Sequence, residues 1–313
     1  VARNWTLVYL GNFAGAIATA LILYVSKQYE LGHGAVGVQA LSIAAAKTDL
    51  RVTTHTVDIS EERQVIAFRA AVAEQHQAKH IDLLFNNAGI GGGGSFVLDD
   101  RAEWERTFAV CWFGVYYGTR AFLPLLVASD GGVIVNTSSV NGFWASLGPR
   151  SAHTAYSAAK FAVKGFTEAL INDLRNNAPH VKVSLVMPGH IGTGIVINSS
   201  RILGRDPKEM SDAQLEDARE RMERMGFALG EATNEQVRQG LQMIGEAFRD
   251  AAPMTAAAAA KVILDGVREE RWRILVGTDA EVLDRLVREA PEEAYEASFM
   301  ERLQSQSTWA IGQ

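Results

Sequence analysis

Runs typical of β-strands and of α-helices alternate along most of the chain, and this alternation constrains the fold more than any other feature. Residues 132–137 and 181–187 are short and apolar, as buried strands are, and residues 154–177 between them show helical spacing of apolar side chains. Repeated β–α units imply one parallel sheet with helices on both faces. The sequence therefore predicts a doubly wound α/β fold. Strands are predicted at 5–10, 51–59, 81–85, 132–137, 181–187 and 272–276, and helices at 14–31, 39–50, 60–80, 101–128, 154–177, 255–270 and 279–289.

The stretch 195–253 departs from this alternation. It is charged, helical in pattern and free of strand-like runs, and it follows the predicted strand that ends in Pro188 and Gly189. Ligands of open α/β sheets bind beyond the carboxyl ends of the strands. An insertion here is therefore either a lid over a substrate pocket or a solvated helical addition. Because no linker or internal repeat divides the chain, residues 1–313 are predicted to form a single domain that contains this insertion.

Charge and cysteine content exclude several classes of protein. The chain has 36 acidic and 30 basic residues, a net charge of −6. That balance argues against a general nucleic-acid binder, because neutralising phosphates needs a basic surface. Cys111 is the single cysteine, which excludes an internal disulfide framework and a Cys-rich metal site. We predict no bound metal.

Residues 4–26 carry no charged side chain. A run of this length is long enough to cross a membrane as one helix. The alternative is a buried strand, a glycine turn and a buried helix, and Gly11 and Gly15 suit a turn better than a membrane span. We therefore expect no membrane anchor.

Tyr156 and Lys160 are four residues apart in the predicted helix 154–177, so their side chains share one face. An unperturbed tyrosine has a pKa of about 10. A neighbouring cation favours the phenolate and should lower the pKa of Tyr156. The phenol then becomes a plausible proton donor or acceptor for a carbonyl or alcohol oxygen.

Four polar motifs follow successive predicted strands. They are Val57-Asp58, Asn86-Asn87-Ala88-Gly89, Ser138-Ser139 and Pro188-Gly189-His190-Ile191-Gly192-Thr193. Since the carboxyl ends of parallel strands meet at one edge of a sheet, these motifs should line one ligand site.

The motifs N-N-A-G, S-S, Y-x-x-x-K and P-G-x-I-x-T, in this order and spacing, resemble those of the short-chain dehydrogenase/reductase family. The resemblance runs from about residue 51 to 193 and more weakly to about 290. It implies a Rossmann-like fold, a nicotinamide cofactor (NAD or NADP) and hydride transfer between an alcohol and a carbonyl. It gives Tyr156 the role of general acid and base, Ser139 that of polarising the carbonyl, and Lys160 that of holding the nicotinamide ribose.

The resemblance also implies a set of cofactor contacts, with Asp58 at the adenine, Asn87 on the adenosine side, and Ile191 and Thr193 at the carboxamide. The full predicted set is Gly11, Gly15, Ile17, Asp58, Ile59, Asn87, Ala88, Gly89, Tyr156, Lys160, Pro188, Gly189, Ile191 and Thr193.

Ser138 competes with Ser139 for the catalytic role. The family's serine usually stands three residues before a glycine, and Gly142 fits Ser139. In the loop between Gly142 and Tyr156, the side chains of Phe143, Trp144 and His153 either line a substrate pocket or simply pack.

The first turn departs from the family's T-G-x-x-x-G-x-G pattern. Gly11 and Gly15 are kept, whereas Leu10 replaces the threonine and Ile17 the last glycine, so that Phe13 and Ile17 should crowd the phosphates. A second glycine pattern at residues 32–37 follows a polar stretch rather than a strand, which disfavours it as the phosphate loop. No residue clearly placed to read the ribose separates NAD from NADP.

Cys111 stands where the family often has an asparagine that supports a proton relay to the lysine. We include it among the catalytic candidates, although a thiol is a weak hydrogen-bond partner. The alternative to an enzyme is a catalytically impaired relative that senses a cofactor or metabolite.

The sequence thus predicts a cytoplasmic NAD(P)-dependent oxidoreductase that interconverts a secondary alcohol and a ketone. The insertion and the aromatic loop suggest a bulky apolar substrate. Helices apolar on more than one face, such as 101–128 and 154–177, suggest a homodimer or homotetramer.

Overall fold

A computed structural model of the protein describes residues 53–148, 151–224, 226–309 and 311. The chain divides into two compact units, Val1–Val57 with Ala67–Ala78, and Asp58–Ile66 with Lys79–Gln313. In the first unit the Thr53 hydroxyl lies 2.9 Å from His76 Nε2. The sheet and the site described below belong to the second unit. The predicted elements at 5–10, 14–31 and 39–50, with Gly11, Gly15 and Ile17, lie outside the described residues.

Six strands are described, and four of them form a parallel sheet in the order β1-β2-β3-β6. The other two form a short parallel pair. In chain order the strands are β1 (Leu83–Asn86), β2 (Val133–Thr137), β3 (Lys182–Pro188), β4 (Ile191–Gly192), β5 (Met254–Thr255) and β6 (Arg273–Val276).

Helices cover the sheet and make up the insertion. In chain order the described helices are α1 (Glu62–His76), α2 (Arg101–Phe108), α3 (Gly114–Val127), α4 (Thr154–Asn177), α5 (Ile195–Ile202), α6 (Asp212–Arg224), α7 (Asn234–Asp250), α8 (Ala256–Arg268), α9 (Thr278–Glu289) and α10 (Ala297–Gln306). A π-helical turn, Ala109–Phe113, joins α2 to α3, and two short 3₁₀ turns span Val140–Gly142 and Pro291–Glu293.

The central strands are buried on both faces. On one face Ile134 of β2 packs in a cluster with Leu126 of α3 and Leu170 of α4. On the other face Val135, the next residue, packs with Ala259 and Val267 of α8. Successive side chains of a strand point to opposite faces, so an apolar run such as 133–135 fits a sheet covered on both sides. The predicted α/β fold with a parallel sheet is confirmed.

The predicted strand 51–59 is wrong over its described part, because residues 53–59 are not in a strand. The β-branched residues there favour a strand only when a partner is present. Asp58 instead accepts hydrogen bonds from the N–H and the hydroxyl of Ser60, which turns the chain at this point. The following helix starts at Glu62 and ends at His76, short of the predicted residue 80, since Gln77 adopts a left-handed φ of 51°.

The predicted helix 101–128 is interrupted in the structure, and its Pro124 lies inside α3. The interruption is the π-helical turn Ala109–Phe113, which contains Cys111. By length and composition, Arg101–Val127 could cross a membrane. Its side chains Val115, Phe122 and Leu126 are buried in the protein, as those of a core helix are.

A buried polar network ties the ends of β1 and β2 to two helices. Asn86 Nδ2 donates to Asn136 Oδ1 at 2.8 Å and to Thr119 Oγ1 of α3 at 3.0 Å. Asn136 Nδ2 donates in turn to Thr167 Oγ1 of α4 at 3.0 Å. Buried polar groups need such partners, because an unsatisfied donor or acceptor retains its full desolvation cost. The network therefore fixes the helices relative to the strand ends.

We expect Asn136→Ala to lower the free energy of unfolding by about 1–3 kcal/mol, since it removes the hydrogen bond that Asn86 donates to Asn136 and the one that the Thr167 hydroxyl accepts from it. Urea denaturation measures this change. The matched control is Asn172→Ala, at an exposed asparagine of α4, which should change stability by less than about 0.5 kcal/mol. Equal effects of the two substitutions would contradict the structural role of the network.

Candidate active site

A cavity of about 770 Å³ opens at the carboxyl ends of the sheet strands. Its wall includes polar groups from the ends of β1, β2 and β3 and from the first turns of α4. Many of the predicted site residues line it: Asn87, Ala88, Gly89, Ser139, Tyr156, Lys160, Pro188, Gly189, Ile191 and Thr193. Asp58, Ile59 and Cys111 do not line this cavity. The fold thus brings three of the four predicted motifs to one place.

The start of α4, which carries the tyrosine and the lysine, is held by the glycine loop 91–94. The N–H groups of Thr154 and Ala155 donate to the carbonyl oxygens of Gly94 and Gly93 at 2.9 and 3.0 Å. These are N–H groups that a helix leaves without internal partners. Gly93 has a φ of 56°, and a Cβ on it would lie 2.5 Å from the Cβ of Ala155. Only glycine permits this close contact.

Lys160 is buried, with 3% of its surface exposed. Its Nζ donates to the carbonyl oxygen of Thr137 at 2.8 Å and lies 5.3 Å from the centroid of the Tyr156 ring. An ammonium group has three donors, and no other acceptor for Nζ is found in the described part of the chain. Burial lowers the pKa of Lys160.

Tyr156 differs from the sequence prediction in the direction of its pKa. Burial raises the pKa of Tyr156, and the nearby Cys111 raises it further, while a hydrogen bond with the Ser139 side chain lowers it. The predicted lowering of the Tyr156 pKa took into account only the charge of Lys160 and not the burial of the phenol. In the folded site the phenolate must form away from water, and desolvation outweighs the other contributions.

The two adjacent serines have different partners. Ser138 Oγ donates to the carbonyl oxygen of Lys160 at 2.8 Å, which ties β2 to α4. Ser139 Oγ accepts from the N–H of Asn141 at 3.1 Å and hydrogen-bonds with Tyr156. A Cβ on Gly142 would lie 2.3 Å from Ser138 Oγ, so the glycine makes room for Ser138. The geometry therefore favours Ser139 as the hydroxyl that faces a substrate.

Cys111 is fully buried behind the cavity wall. Its Sγ donates to the carbonyl oxygen of Ile90 at 3.1 Å. A Cβ built on Gly89 would lie 3.7 Å from Cys111 Sγ and 3.5 Å from Lys160 Nζ. The thiol therefore lies close to the lysine but is bonded to the loop after β1, which makes it a packing group of the site in this structure.

Asp58 and Ile59 anchor the turn before α1 to the helices α2 and α3. The Asp58 carboxylate lies 2.9 Å from Arg106, and Ile59 fills the space beside Gly114. Although partial burial alone would raise it, the pKa of Asp58 is held below its usual value by hydrogen bonds from Ser60 and Arg106. The adenine contact predicted for Asp58 stays a prediction.

The aromatic loop after Gly142 divides between packing and the cavity. Trp144 is buried against Phe299 and Trp309, and its Nε1 donates to the carbonyl oxygen of Ala294 at 2.7 Å. Phe143 lies beside Arg273. Neither ring lines the cavity, whereas His153 does.

Two parts of the chain complete the cavity wall. From the insertion, Ile195, Val196 and Ser199 of α5 line it, and from the end of the chain Trp309 and Ile311 do. The sequence motifs did not point to Trp309 or Ile311, because the chain following α10 carries no recognisable pattern.

Two ion pairs fasten the insertion to the segment before and within α2. Arg205 lies 2.8 Å from Glu103, and Arg221 lies 2.8 Å from Asp99. Both carboxylates are largely buried. The described residues of 195–253 form helices and their connections and contain no strand, as predicted, and the first of these helices borders the cavity.

The sequence analysis also missed Asp279, the second residue of α9. It is fully buried, and its carboxylate accepts a hydrogen bond from the N–H of His190 at 2.7 Å. A Cβ on Gly189 would lie 2.3 Å from that carboxylate. Asp279 therefore fixes the loop that follows β3. Its sequence context gives no signal, since acidic residues are common in the first turn of any helix.

No group of three or more His, Cys, Asp or Glu side chains that could hold a metal ion occurs among the described residues. His190 is buried, with Nε2 2.8 Å from the carbonyl oxygen of Phe248.

Comparison with known proteins identifies the family. The short chain dehydrogenase model matches residues 17–202. A protein named as an oxidoreductase, SadH from Mycobacterium tuberculosis (strain CDC 1551 / Oshkosh), is 33% identical over 239 residues, which cover 76% of this chain and 72% of that one. The levodione reductase of Leifsonia aquatica is 33% identical over 180 residues, covering 55% and 62%.

A solved structure agrees with these matches. The short chain dehydrogenase/reductase of Burkholderia phymatum, in complex with NAD, superposes with a TM-score of 0.63 and 27% identity over 83% of each chain. The chain belongs to the short chain dehydrogenase family of oxidoreductases, which confirms the resemblance seen in its motifs.

The buried carboxylate of Asp279 predicts a pH dependence of stability. Burial raises the pKa of Asp279, opposed by backbone hydrogen bonds from His190 and Ala280. A raised pKa means that the folded state binds the proton more tightly than the unfolded state does. The contribution of Asp279 to the free energy of unfolding is therefore present below the pKa of an unfolded aspartate, about 3.9, and is lost as the pH rises through the pKa of the folded state.

We expect the free energy of unfolding of the wild type, relative to Asp279→Asn, to fall as the pH rises from about 4 toward neutrality. Urea denaturation at several pH values measures the difference. Asp130→Asn, at an exposed position, is the control and should show no such trend. A difference that stays constant or rises with pH would contradict the assignment.

Proposed function

We propose that the protein is an NAD(P)-dependent oxidoreductase that interconverts a ketone and a secondary alcohol. The observation that carries this proposal is the cluster of Ser139, Tyr156 and Lys160 in the wall of one cavity, with Tyr156 hydrogen-bonded to Ser139 and Lys160 beside the ring. The NAD complex of the Burkholderia phymatum relative and the reductase name of the Leifsonia aquatica relative support it.

The cavity fits a nicotinamide dinucleotide in size and in the donors it offers. Its volume of about 770 Å³ falls in the range of ligand sites, about 300–1,000 Å³. One N–H of the Lys160 ammonium donates to the carbonyl oxygen of Thr137. The other two N–H groups can donate to the two hydroxyls of a ribose. Gly89 leaves space in front of Lys160 that a Cβ would enter. Asn87, Ile191 and Thr193 lie in the same wall.

When bound, the nicotinamide supplies the hydride to the carbonyl carbon in reduction and takes it up in oxidation. In reduction, Tyr156 Oη donates its proton to the carbonyl oxygen. The Ser139 hydroxyl, whose oxygen accepts from Asn141 N–H, keeps its own proton for a hydrogen bond to the same substrate oxygen. The ammonium of Lys160 then stabilises the phenolate that remains.

The raised pKa of Tyr156 favours the reducing direction. A phenol that stays protonated across neutral pH is ready to donate a proton, whereas oxidation requires the phenolate first. We therefore propose that, at neutral pH, the protonated form of Tyr156 that ketone reduction requires predominates over the phenolate that alcohol oxidation requires. The cytoplasmic location, the homo-oligomer and the bulky apolar character of the substrate stay predictions from the sequence.

Tyr156→Phe should lower turnover of a ketone by about 10²–10⁴-fold, the usual contribution of a positioned acid, and should leave cofactor binding measurable. Benzyl phenyl ketone is a suitable probe substrate. Titration with NADH and then NADPH, followed by energy transfer from tryptophan to the nicotinamide, measures binding and identifies the preferred cofactor.

The matched control is Tyr295→Phe, at an exposed tyrosine that accepts a hydrogen bond from Ala145 N–H. It should keep wild-type turnover. Saturable cofactor binding with turnover that Tyr156→Phe does not change would contradict the proposed mechanism. Binding without any turnover in the wild type would favour the sensor alternative.

The direction of the Tyr156 pKa predicts opposite pH profiles for the two reactions. Oxidation of 1,2-diphenylethanol should rise about tenfold per pH unit from neutrality to at least about pH 10, because only the phenolate accepts the proton. Reduction of benzyl phenyl ketone should stay nearly flat over the same range. Steady-state kcat/KM values measure both profiles. A plateau of oxidation below about pH 8 would show instead that the tyrosine has a lowered pKa.

A further inference from the structure

His153 lies in the cavity wall directly beside the proposed proton donor. Its ring stacks on that of Tyr156, with centroids 4.6 Å apart and an angle of 20° between the planes. It precedes the first residue of α4, but its side chain makes no capping hydrogen bond. The imidazole is therefore fixed by stacking and has no part in starting the helix.

The polar atoms of His153 are not used by the fold. Its Nδ1 is buried without a hydrogen-bond partner, and no hydrogen bond of Nε2 occurs within the described ranges. Leaving a buried nitrogen unpaired costs free energy. A phenylalanine would stack on Tyr156 equally well without that cost, so the fold alone does not account for an imidazole.

The ring is neutral at physiological pH, because burial lowers the pKa of His153 to about 4. A neutral imidazole offers one N–H donor and one acceptor nitrogen. It suits an uncharged hydroxyl or carbonyl group better than a carboxylate, which would call for a cation.

Apolar side chains share the cavity with this ring. Leu147, Val196, Trp309 and Ile311 line the same cavity as His153 and Tyr156. In such a wall a polar ring next to the reacting group selects for the position of a polar atom on the ligand, whereas the apolar side chains accommodate its bulk.

We propose that Nε2 of His153, the ring nitrogen that is not enclosed by the fold, hydrogen-bonds to a second oxygen of the substrate, on the carbon next to the carbonyl that Tyr156 protonates. The substrate class is then α-diketones and α-hydroxyketones with apolar substituents. Because the two ring centroids are only 4.6 Å apart, a substrate that presents its first oxygen to Tyr156 brings an oxygen on the neighbouring carbon close to the His153 ring. This inference rests on the proposed function, and it makes His153 a specificity-determining residue.

The test compares benzil with benzyl phenyl ketone, which differ by one carbonyl oxygen on the neighbouring carbon. The quantity measured is the ratio of their kcat/KM values, with whichever of NADH or NADPH binds. Benzil is intrinsically the more reactive ketone, but that difference cancels when the ratio is compared between wild type and variants.

His153→Phe keeps the stacking and removes both nitrogens. We expect it to lower the ratio of kcat/KM for benzil to kcat/KM for benzyl phenyl ketone on the order of tenfold, the loss of one well-placed hydrogen bond. His153→Gln, which restores a donor and an acceptor, should recover part of the ratio. The control His80→Phe, at an exposed histidine, should leave it unchanged.

An unchanged ratio in His153→Phe would overturn the inference, and so would an equal fall for both ketones, which would show a purely structural role. Cofactor binding with no turnover of either ketone by the wild type would favour the sensor alternative and would overturn the proposed function together with the substrate class. Failure of the wild type to bind NADH or NADPH would overturn the proposed function itself, which separates that failure from a failure of the role of His153.

Discussion

The burial of Lys160 is the constraint on which the site depends. An amino group with 3% exposure is tolerated only because it donates to the carbonyl oxygen of Thr137, at the end of β2. That bond needs the lysine on the first turns of α4, directly above the strand end. Ser138 reinforces the placement by donating to the Lys160 carbonyl oxygen. One strand end and one helix start are thereby locked together, and Tyr156 and Ser139 follow from that geometry.

The same design recurs along the sheet edge, where buried polar side chains rather than apolar packing position the loops. Asn86 and Asn136 join β1 and β2 to helices α3 and α4. Asp279 holds the loop after β3 by the N–H of His190. Burying each of these polar side chains costs free energy, and its hydrogen bonds offset that cost only when they form. Such groups tolerate little displacement, so they fix the cavity more tightly than apolar contacts of equal area would.

The sequence predicted the parts of the fold that depend on local pattern. The bounds 154–177 coincide with α4, and the order of the polar motifs placed Asn87, Ser139, Tyr156 and Pro188 in one cavity. It failed where the answer depends on tertiary context. The described β-branched residues 53–59 are not in a strand, and Asp279 resembles any acidic residue at a helix start. The direction of the Tyr156 pKa required knowledge of its burial, which spacing to Lys160 does not give.

Desolvation also explains how the three titratable neighbours work together. Burial raises the pKa of Tyr156 and lowers those of Lys160 and His153, so each charge on its own is disfavoured in the cavity. A phenolate and an ammonium formed side by side offset one another, whereas burial acts on the His153 ring with no carboxylate beside it in the described part of the chain. The Tyr156 phenolate therefore forms beside the Lys160 ammonium only when Tyr156 gives up its proton. His153 stays a neutral hydrogen-bonding group throughout. In the proposed reaction, burial therefore keeps Tyr156 protonated as the acid that acts on the first substrate oxygen. It also keeps His153 neutral as the ring that binds the second substrate oxygen.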